Sequence, residues 1–535
     1  MILKRILTYF LLLLSLISCS KGTTQDTPQL PAWKEYLLYA STKGLKIASI
    51  AKVQDSTRLC FENSTILDIP DNGLRITDCS ETGLPVLEVK GGVWYIDGKD
   101  SGIVVRKEQS KVLSEIIFAG YDPKKFILAF QNGETLELKL VQPLPKTIPV
   151  IRISTDGGKA VTSKEEYVNG DITVEDPCKM YSEDTTFTAR MKIRGRGNST
   201  WNRPKKPYKI KLEEKAQILG IPKDKEWCIL ADYYDRSLIR NQVAFELSRI
   251  CGFSWTPATA KVEVWLNGDY IGVYTFCEHK KVSKNRVNIA DTDFYLTIDE
   301  VQDQTTTFKT SMKMPVGFEE PEIPDASQYK YVVNYLNSFE AALQGPDFKD
   351  PDKGYAAWID IPSFVNYYIL EELVKNIDGN VRRSTFLTKE EGKKLEMYHV
   401  WDFDLAIGNC NYFNKEFPGS TDDYTGFYIR DYNQYYTKNT GWYYRLFQDP
   451  AFVAAVKKRW NELKPRFETI PSYIEDQVDL IGDDAVGRNF KRWPVLQEQF
   501  TCPQRSLYTY RDHVAYMKNF YINRLDWLDR ELNKL

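Results

Sequence analysis

The sequence predicts an α+β protein in which a β-rich lobe precedes an α-rich lobe, with a small all-β module ahead of both. Three observations carry this. Short β-branched runs with period-two alternation dominate the chain up to about residue 300. Apolar spacing near 3.6 takes over from about residue 328. Three prolines, Pro143, Pro145 and Pro149, stand between the module and the lobes and mark a linker. The 535 residues suffice for two to four domains at roughly 100–200 residues each. With 42% hydrophobic and 13% aromatic residues the chain can build large cores, which excludes wholesale disorder.

The amino-terminal segment reads as an address. Lys4 and Arg5 precede an apolar run over 6–17, broken by Thr8 and Ser15. A bilayer span needs about 20 apolar residues, so the run suits a signal-peptide core instead. It ends in Leu16-Ile17-Ser18-Cys19, which resembles a bacterial lipobox. That resemblance implies a signal peptide over 1–18, a lipid on the Cys19 thiol and a place in the cell envelope, with the outer membrane expected. Residues 20–29 are polar, and 19–32 read as a lipidated tether.

Residues 33–142 form the β module. Runs at 47–51, 84–93 and 126–141 are separated by Asp71-Asn72-Gly73, Gly91-Gly92, Asp97-Gly98 and Asn132-Gly133, the residues of tight turns. The phrase Val93-Trp94-Tyr95-Ile96-Asp97-Gly98-Lys99-Asp100-Ser101-Gly102 resembles one that recurs in small β modules of Bacteroidetes-type surface lipoproteins. A spacer or docking role and a glycan- or protein-binding role are both compatible with it.

The main domain is expected over 148–535. Val150-Ile151-Arg152-Ile153 opens a strand, and 190–196 and 208–212 alternate as half-buried strands do. A helix is expected over 237–251. Asn267-Gly268 joins two further strands as a hairpin. Helical spacing then covers 329–343, 361–376, 441–447, 450–464, 470–481 and 503–535.

Composition narrows the chemistry. Lys+Arg is 71 and Asp+Glu 73, a net charge of −2. No global basic field exists to hold nucleic acid. Three histidines, His279, His399 and His513, lie far apart, which argues against histidine-based metal sites. Catalysis would rest on carboxylates, Lys and Arg. Apart from Cys19, eight cysteines form no CxxC pair. Most read as small buried hydrophobes, and Cys60 with Cys79 is the pair best placed for a bridge.

Three segments could carry chemistry. Arg194-Gly195-Arg196-Gly197-Asn198-Ser199-Thr200-Trp201, followed by Lys205-Lys206-Pro207-Tyr208-Lys209-Ile210-Lys211, is a glycine turn rich in donors and positive charge. Glycine lets backbone N–H groups approach an anion, so the loop suits a polyphosphate; a plain basic hairpin is the bland alternative. The second is Asn376-Ile377-Asp378-Gly379-Asn380-Val381-Arg382-Arg383-Ser384. The third is Trp401-Asp402-Phe403-Asp404, where acids interrupt an apolar strand and need a partner or a metal. Together these are the parts of Mg²⁺-assisted phosphoryl transfer, while turn and capping aspartates remain the alternative. Asp422-Asp423 and Asp483-Asp484 read as loop charges. The aromatics over 432–436 with Trp442-Tyr443-Tyr444 read as core or lid, or as a substrate groove.

These segments, with 227–230, 235–241, 264–274 and Glu278, run in one order over about 148–530 and resemble the CotH-type kinases, a family named for a spore-coat protein kinase. The resemblance implies a two-lobed atypical protein-kinase-like fold, ATP between the lobes, and Mg²⁺ or Mn²⁺. It places Arg194, Arg196, Asn198 and Ser199 on the phosphate side. It makes Lys209 or Lys211 the phosphate lysine, with Lys209 preferred. It implies nucleotide support from Glu278, a catalytic role for Asp378, and metal binding by Asp402 and Asp404. Many members carry an Asn after the Asp378 position; here Arg383-Ser384 stands there, and Asn380 is the nearest substitute metal ligand. The expected activity is transfer of phosphate from ATP to a protein Ser/Thr or a saccharide or other hydroxyl. The alternative is a pseudokinase-like surface lipoprotein that binds a glycan or protein.

Overall fold

The structure is a computed structural model. It describes residues 147–535 except 380, 411–423, 433–437, 499 and 501–505, together with the backbone of ten strands within 47–139. The leader, the tether, Cys19, Asn380 and Asp422-Asp423 lie outside the described residues. The chain divides into two compact units, Met1–Pro145 and Lys146–Leu535.

The described residues of the first unit are all in β-strands. Strands β1 (Ile47–Val53), β2 (Ser56–Phe61) and β3 (Ile66–Pro70) form one antiparallel sheet. In a second sheet, β4 (Arg75–Cys79) runs parallel to β8 (Leu113–Ala119), which continues to β9 (Lys125–Phe130) and β10 (Thr135–Lys139). A third sheet holds β5 (Leu87–Lys90), β6 (Val93–Ile96) and β7 (Lys99–Val104). Lys90 pairs with Val93 and Ile96 with Lys99, the registers of two-residue connections.

The second unit opens with a closed barrel. Its strands are β11 (Val150–Thr155), β12 (Val168–Glu175), β13 (Thr186–Gly195), β14 (Tyr208–Ile218), β15 (Ile221–Leu230), β16 (Thr259–Leu266) and β17 (Asp269–Glu278). Neighbours are antiparallel except β11 and β16, whose parallel pairing closes the ring. Alternate residues fill the interior: Ile151 and Ile153, Met191 and Ile193, Ile210 and Leu212, Trp227 and Ile229, Val262 and Val264. Leu266 pairs with Asp269 across Asn267 and Gly268, whose φ values of 51° and 83° suit a hairpin turn with both central residues left-handed.

Residues of the opposite phase on β15 and β17, such as Cys228 and Cys277, belong to a second core. That core is built by α1 (Arg240–Cys251), inserted between β15 and β16, and by the carboxy-terminal elements. These include a five-stranded sheet in the order β19 (Thr307–Lys309), β20 (Pro315–Glu320), β18 (Phe294–Ile298), β21 (Thr385–Lys389), β22 (Glu396–Val400). The helices are α2 (Ala326–Gln344), α3 (Ile361–Val374), α4 (Trp442–Leu446), α5 (Pro450–Phe467), α6 (Ile470–Ile481), α7 (Asp483–Arg492) and α8 (Tyr510–Lys534). Asp325 with Gln328 and Thr509 with Asp512 form capping boxes that start α2 and α8. Trp442 and Tyr443 are buried in this core.

Several expectations change here. The α-rich lobe is not purely helical, because β21 and β22 return to the sheet begun by β18. Asp483 and Asp484 are not in a loop but open α7, where negative charge complements the helix dipole. The last helix starts at Tyr510, not near 503. Cys228, Cys251, Cys277 and Cys410 are buried and Cys178 is half-buried, and no disulfide joins any two of these five.

His399 is fully buried on β22. Its Nε2 lies 2.7 Å from the Tyr295 hydroxyl and its ring stacks on Phe386 at 4.5 Å. Burial pushes this imidazole down to about 3, with the Lys280 charge adding to it against the Val400 carbonyl. The folded state therefore excludes a proton that the unfolded chain takes up near 6.5. The stability this group contributes is complete above pH 6.5 and is lost as pH falls toward 3. His399→Gln, which keeps an acceptor for Tyr295, should make the acid slope of unfolding free energy shallower by about 1.4 kcal/mol per pH unit. Urea titrations at pH 6, 5 and 4 measure it, and an unchanged slope would refute the assignment.

Candidate functional site

A cavity of about 580 Å³ opens beside the barrel, between the β13–β14 loop and the loops that follow α3, β18 and β22. Its walls carry opposite charge.

The basic wall comes from the glycine turn. Gly195 is needed because a Cβ there would sit 2.3 Å from the Trp201 ring, and Gly197 has φ +81°. Lys206 Nζ donates to the Trp201 carbonyl at 2.7 Å, folding the turn back on itself. Arg194 donates to the Lys164 carbonyl and lies over the Tyr167 ring at 5.3 Å. Arg196 reaches across to the Trp401 ring, 5.6 Å from its centroid, and so ties the basic loop to the acidic one. Asn198 and Ser199 line the cavity and are exposed.

Lys209 and Lys211 share one face of β14, but the fold separates them. Lys209 lines the cavity and its side chain is 13% exposed; Lys211 is outside the lining and 41% exposed. Lys209 Nζ is 2.7 Å from Glu226 Oε2, and Lys211 Nζ is 3.3 Å from Oε1. Burial alone would favour the neutral acid, but the Lys209 hydrogen bond and charge, with His279 and Lys281, hold the Glu226 carboxyl well below the usual carboxylate range. Lys209 Nζ also lies 2.9 Å from His279 Nε2.

The acidic wall is formed by Asp232, Asp299, Asp378, Asp402 and Asp404. The strand β22 ends at Val400, so the two acids of Trp401-Asp402-Phe403-Asp404 lie in the loop beyond it. Asp402 sits at φ +71°, a left-handed conformation that Asp tolerates better than most residues. The start of α1 clamps this loop. Asn241 Oδ1 accepts from Phe403 N at 2.9 Å, and Arg240 Nε donates to the Ala406 carbonyl at 2.9 Å. Asn409 Nδ2 donates to the Tyr234 and Asp404 carbonyls at 2.9 and 2.6 Å. Arg240 is itself aimed by Asp235, 2.5 Å away, and both are buried. This accounts for the stretch 235–241, whose residues hold the site without lining most of it.

Enclosure in the cleft first, and the Asp378 and Asp299 carboxylates next, push Asp402 up to about 6 against the pull of Arg196 and Arg383. Water reaches the Asp402 side chain through the cavity, which moderates the first cause and leaves the charge repulsion in force. Burial, then Asp402 and Asp378, raise Asp404 further. Asp378 is differently placed. Its Oδ1 accepts from Arg382 Nη2 and Arg383 Nη1, both at 3.0 Å. The same two guanidiniums bond Glu300. No described residue bonds Asp378 Oδ2.

Glu278 is not brought to the cavity. It is buried, and its Oε2 accepts from Ala258 N at 2.9 Å and Trp255 Nε1 at 3.3 Å, which ties β17 to the 255–258 loop. Sequence reasoning also missed Glu226, Asp232 and Lys280 as site residues. Glu226 sits on β15 in phase with another acid, Asp224, and Asp232 and Lys280 lie just beyond the ends of β15 and β17, so none carries a distinctive local signal.

A closed barrel and an antiparallel five-stranded sheet, backed by helices, meet at one cavity with a basic and an acidic wall and define an α+β domain. The chain belongs to the CotH kinase protein family, whose model matches residues 193–528. Membership points to a kinase-like phosphotransferase that uses ATP. No curated protein matches the chain.

Proposed function

We propose that the cavity binds ATP with a divalent cation and that the domain transfers the terminal phosphoryl group to a hydroxyl of a protein Ser/Thr or a saccharide. One observation carries this reading: Lys209, paired with Glu226, and the glycine turn line the same cavity of about 580 Å³ as Asp378, Asp402 and Asp404. Ligand pockets of roughly 300–1,000 Å³ are the usual size for molecules of this class.

Among the described residues no three His, Cys, Asp or Glu side chains converge on one preformed metal position. Mg²⁺ does not require such a cage, because it keeps waters and takes one or two carboxylates plus substrate phosphates. Asp402 and Asp404 fit that demand. They are hard oxygen donors, and their mutual repulsion marks a place short of positive charge. When bound, the cation would neutralise charge on the phosphate oxygens. Lys209 supplies a point charge to those oxygens, and Arg194, Arg196, Asn198 and Ser199 surround them from the turn. Asp378, steadied through Oδ1, keeps Oδ2 to orient the acceptor hydroxyl and take its proton. Cys19 anchors the domain at the envelope and positions it near acceptors there.

The test is label transfer from γ-labelled ATP by the full chain with Mg²⁺ or Mn²⁺. Lys209→Met should lower transfer by about 10²–10³-fold. Absence of transfer together with no thermal shift from nucleotide sinks the reading.

One observation favours a second reading. The guanidiniums of Arg382 and Arg383 both occupy Asp378 Oδ1. A domain that binds nucleotide without transferring phosphate would show a thermal shift from ATP and no label in any acceptor.

A further inference from the structure

We infer that His279 is the positioning residue that fixes the direction of the Lys209 ammonium, an inference that rests on Lys209 facing the donor phosphates. His279 follows β17 directly and lines the cavity. Its ring is held on both sides: Nε2 lies 2.9 Å from Lys209 Nζ, and Nδ1 lies 3.4 Å from Cys228 Sγ. Its carbonyl accepts from Arg286 Nη1 at 2.8 Å, which pins the backbone beneath the ring.

The hydrogen-bond chemistry selects the tautomer. An ammonium only donates. For Lys209 to bond Nε2, that nitrogen must carry the lone pair, so the proton sits on Nδ1 and points at the Cys228 sulfur. Lys209 then spends one N–H on Glu226 Oε2 and one on His279 Nε2, and the third is directed by the other two. Glu226 alone would leave a flexible four-carbon stem free to pivot about a single contact. The imidazole supplies the second point that a direction needs, without adding a second positive charge.

The charges around the ring agree with a neutral imidazole. Lys209 on β14 and Lys280 beside it oppose protonation, as does burial, while Glu226 and Cys228 on β15 favour it. Lys281 is spent on Glu226, and Arg196 and Cys277 lie toward Cys228. The balance keeps the ring below its ordinary range, with burial the largest cause.

The chain has only three histidines, so selective ¹⁵N-imidazole labelling gives an assignable spectrum of the full chain. The expected result is a neutral Nδ1–H tautomer for His279 at pH 7, with a changed Nε2 shift in Lys209→Met. An Nε2–H tautomer overturns the inference whether or not ATP binds, so this arm fails separately from the phosphotransfer reading. In the second arm, ATP affinity and transfer are measured with Mg²⁺. His279→Leu should lower kcat/KM for ATP by roughly ten- to hundred-fold, and His279→Gln, whose amide oxygen can accept from Lys209, should recover most of it. Acidification should weaken ATP binding in the wild type more than in His279→Gln, because a protonated ring turns from acceptor to like charge. Equal affinity and equal pH profiles in all three proteins overturn the inference.

Discussion

Asp402→Asn should cut phosphoryl transfer by on the order of 10³-fold while leaving the domain as stable as before, or slightly more stable. The two halves of this result have one cause. Asp402 faces Asp378 and Asp299 and adjoins Asp404, and that crowding of carboxylates raises both Asp402 and Asp404. Such a cluster is held against its own repulsion by the rest of the fold, as functional sites often are. The amide is isosteric, so no hole opens, and Asn accepts the left-handed backbone at φ +71° as readily as Asp does. Removing one negative charge relieves repulsion but also removes a hard donor that a divalent cation would use. Urea unfolding and label transfer on the same preparation decide it. Full activity, or a clear loss of stability, would contradict the proposed role.

The second large effect falls on stability. Asp235→Ala should cost about 3–5 kcal/mol, because it leaves the Arg240 guanidinium buried and uncompensated. Asp235 accepts from Arg240 N and Ser237 N as well as from the Arg240 side chain, so it also starts α1. Arg240 in turn holds the carbonyls of Ala406 and Ile407. Destabilisation should therefore be accompanied by loss of the Asp402 loop geometry. The paired change Asp235→Leu with Arg240→Leu should recover part of the stability, since a buried ion pair replaced by apolar groups is often tolerated. It should not recover transfer, because the two carbonyl contacts remain missing. Equal stability of Asp235→Ala and wild type would show that the pair does not carry the clamp.

Much of the fold was legible because it follows from local pattern. The two-residue turn at Asn267-Gly268 demands left-handed backbone at both positions, and the sequence places there the residues that adopt it. The amphipathic spacing of α5 and α6 and the alternation of β13 and β14 report which faces are covered. What escaped were elements whose apolar residues are buried on both sides. β21 is buried throughout, so Thr385–Lys389 shows no alternation to tell strand from helix. α7 was misread for the opposite reason. Its apolar residues are few, and its opening Asp483-Asp484 looks like a loop until the helix behind it is seen.

The candidate site divides in the same way. The sequence by itself determined the family, the order of β-rich before α-rich parts, the donor-rich turn at Arg194–Ser199, and the acids at Asp378, Asp402 and Asp404. Each is a run of neighbouring residues whose meaning lies in its own spacing. Only the tertiary structure decided which lysine meets the cavity. Period two puts Lys209 and Lys211 on one face, and the choice depends on where β14 passes the Glu226 carboxylate and the His279 ring. It also decided that Glu278 serves the 255–258 loop, and that Asp235 and Arg240 hold the acidic loop from beneath. Those partners come from strands and helices tens to hundreds of residues apart. Hydrogen bonding and charge act over a few ångströms of space, and chain spacing does not encode that distance.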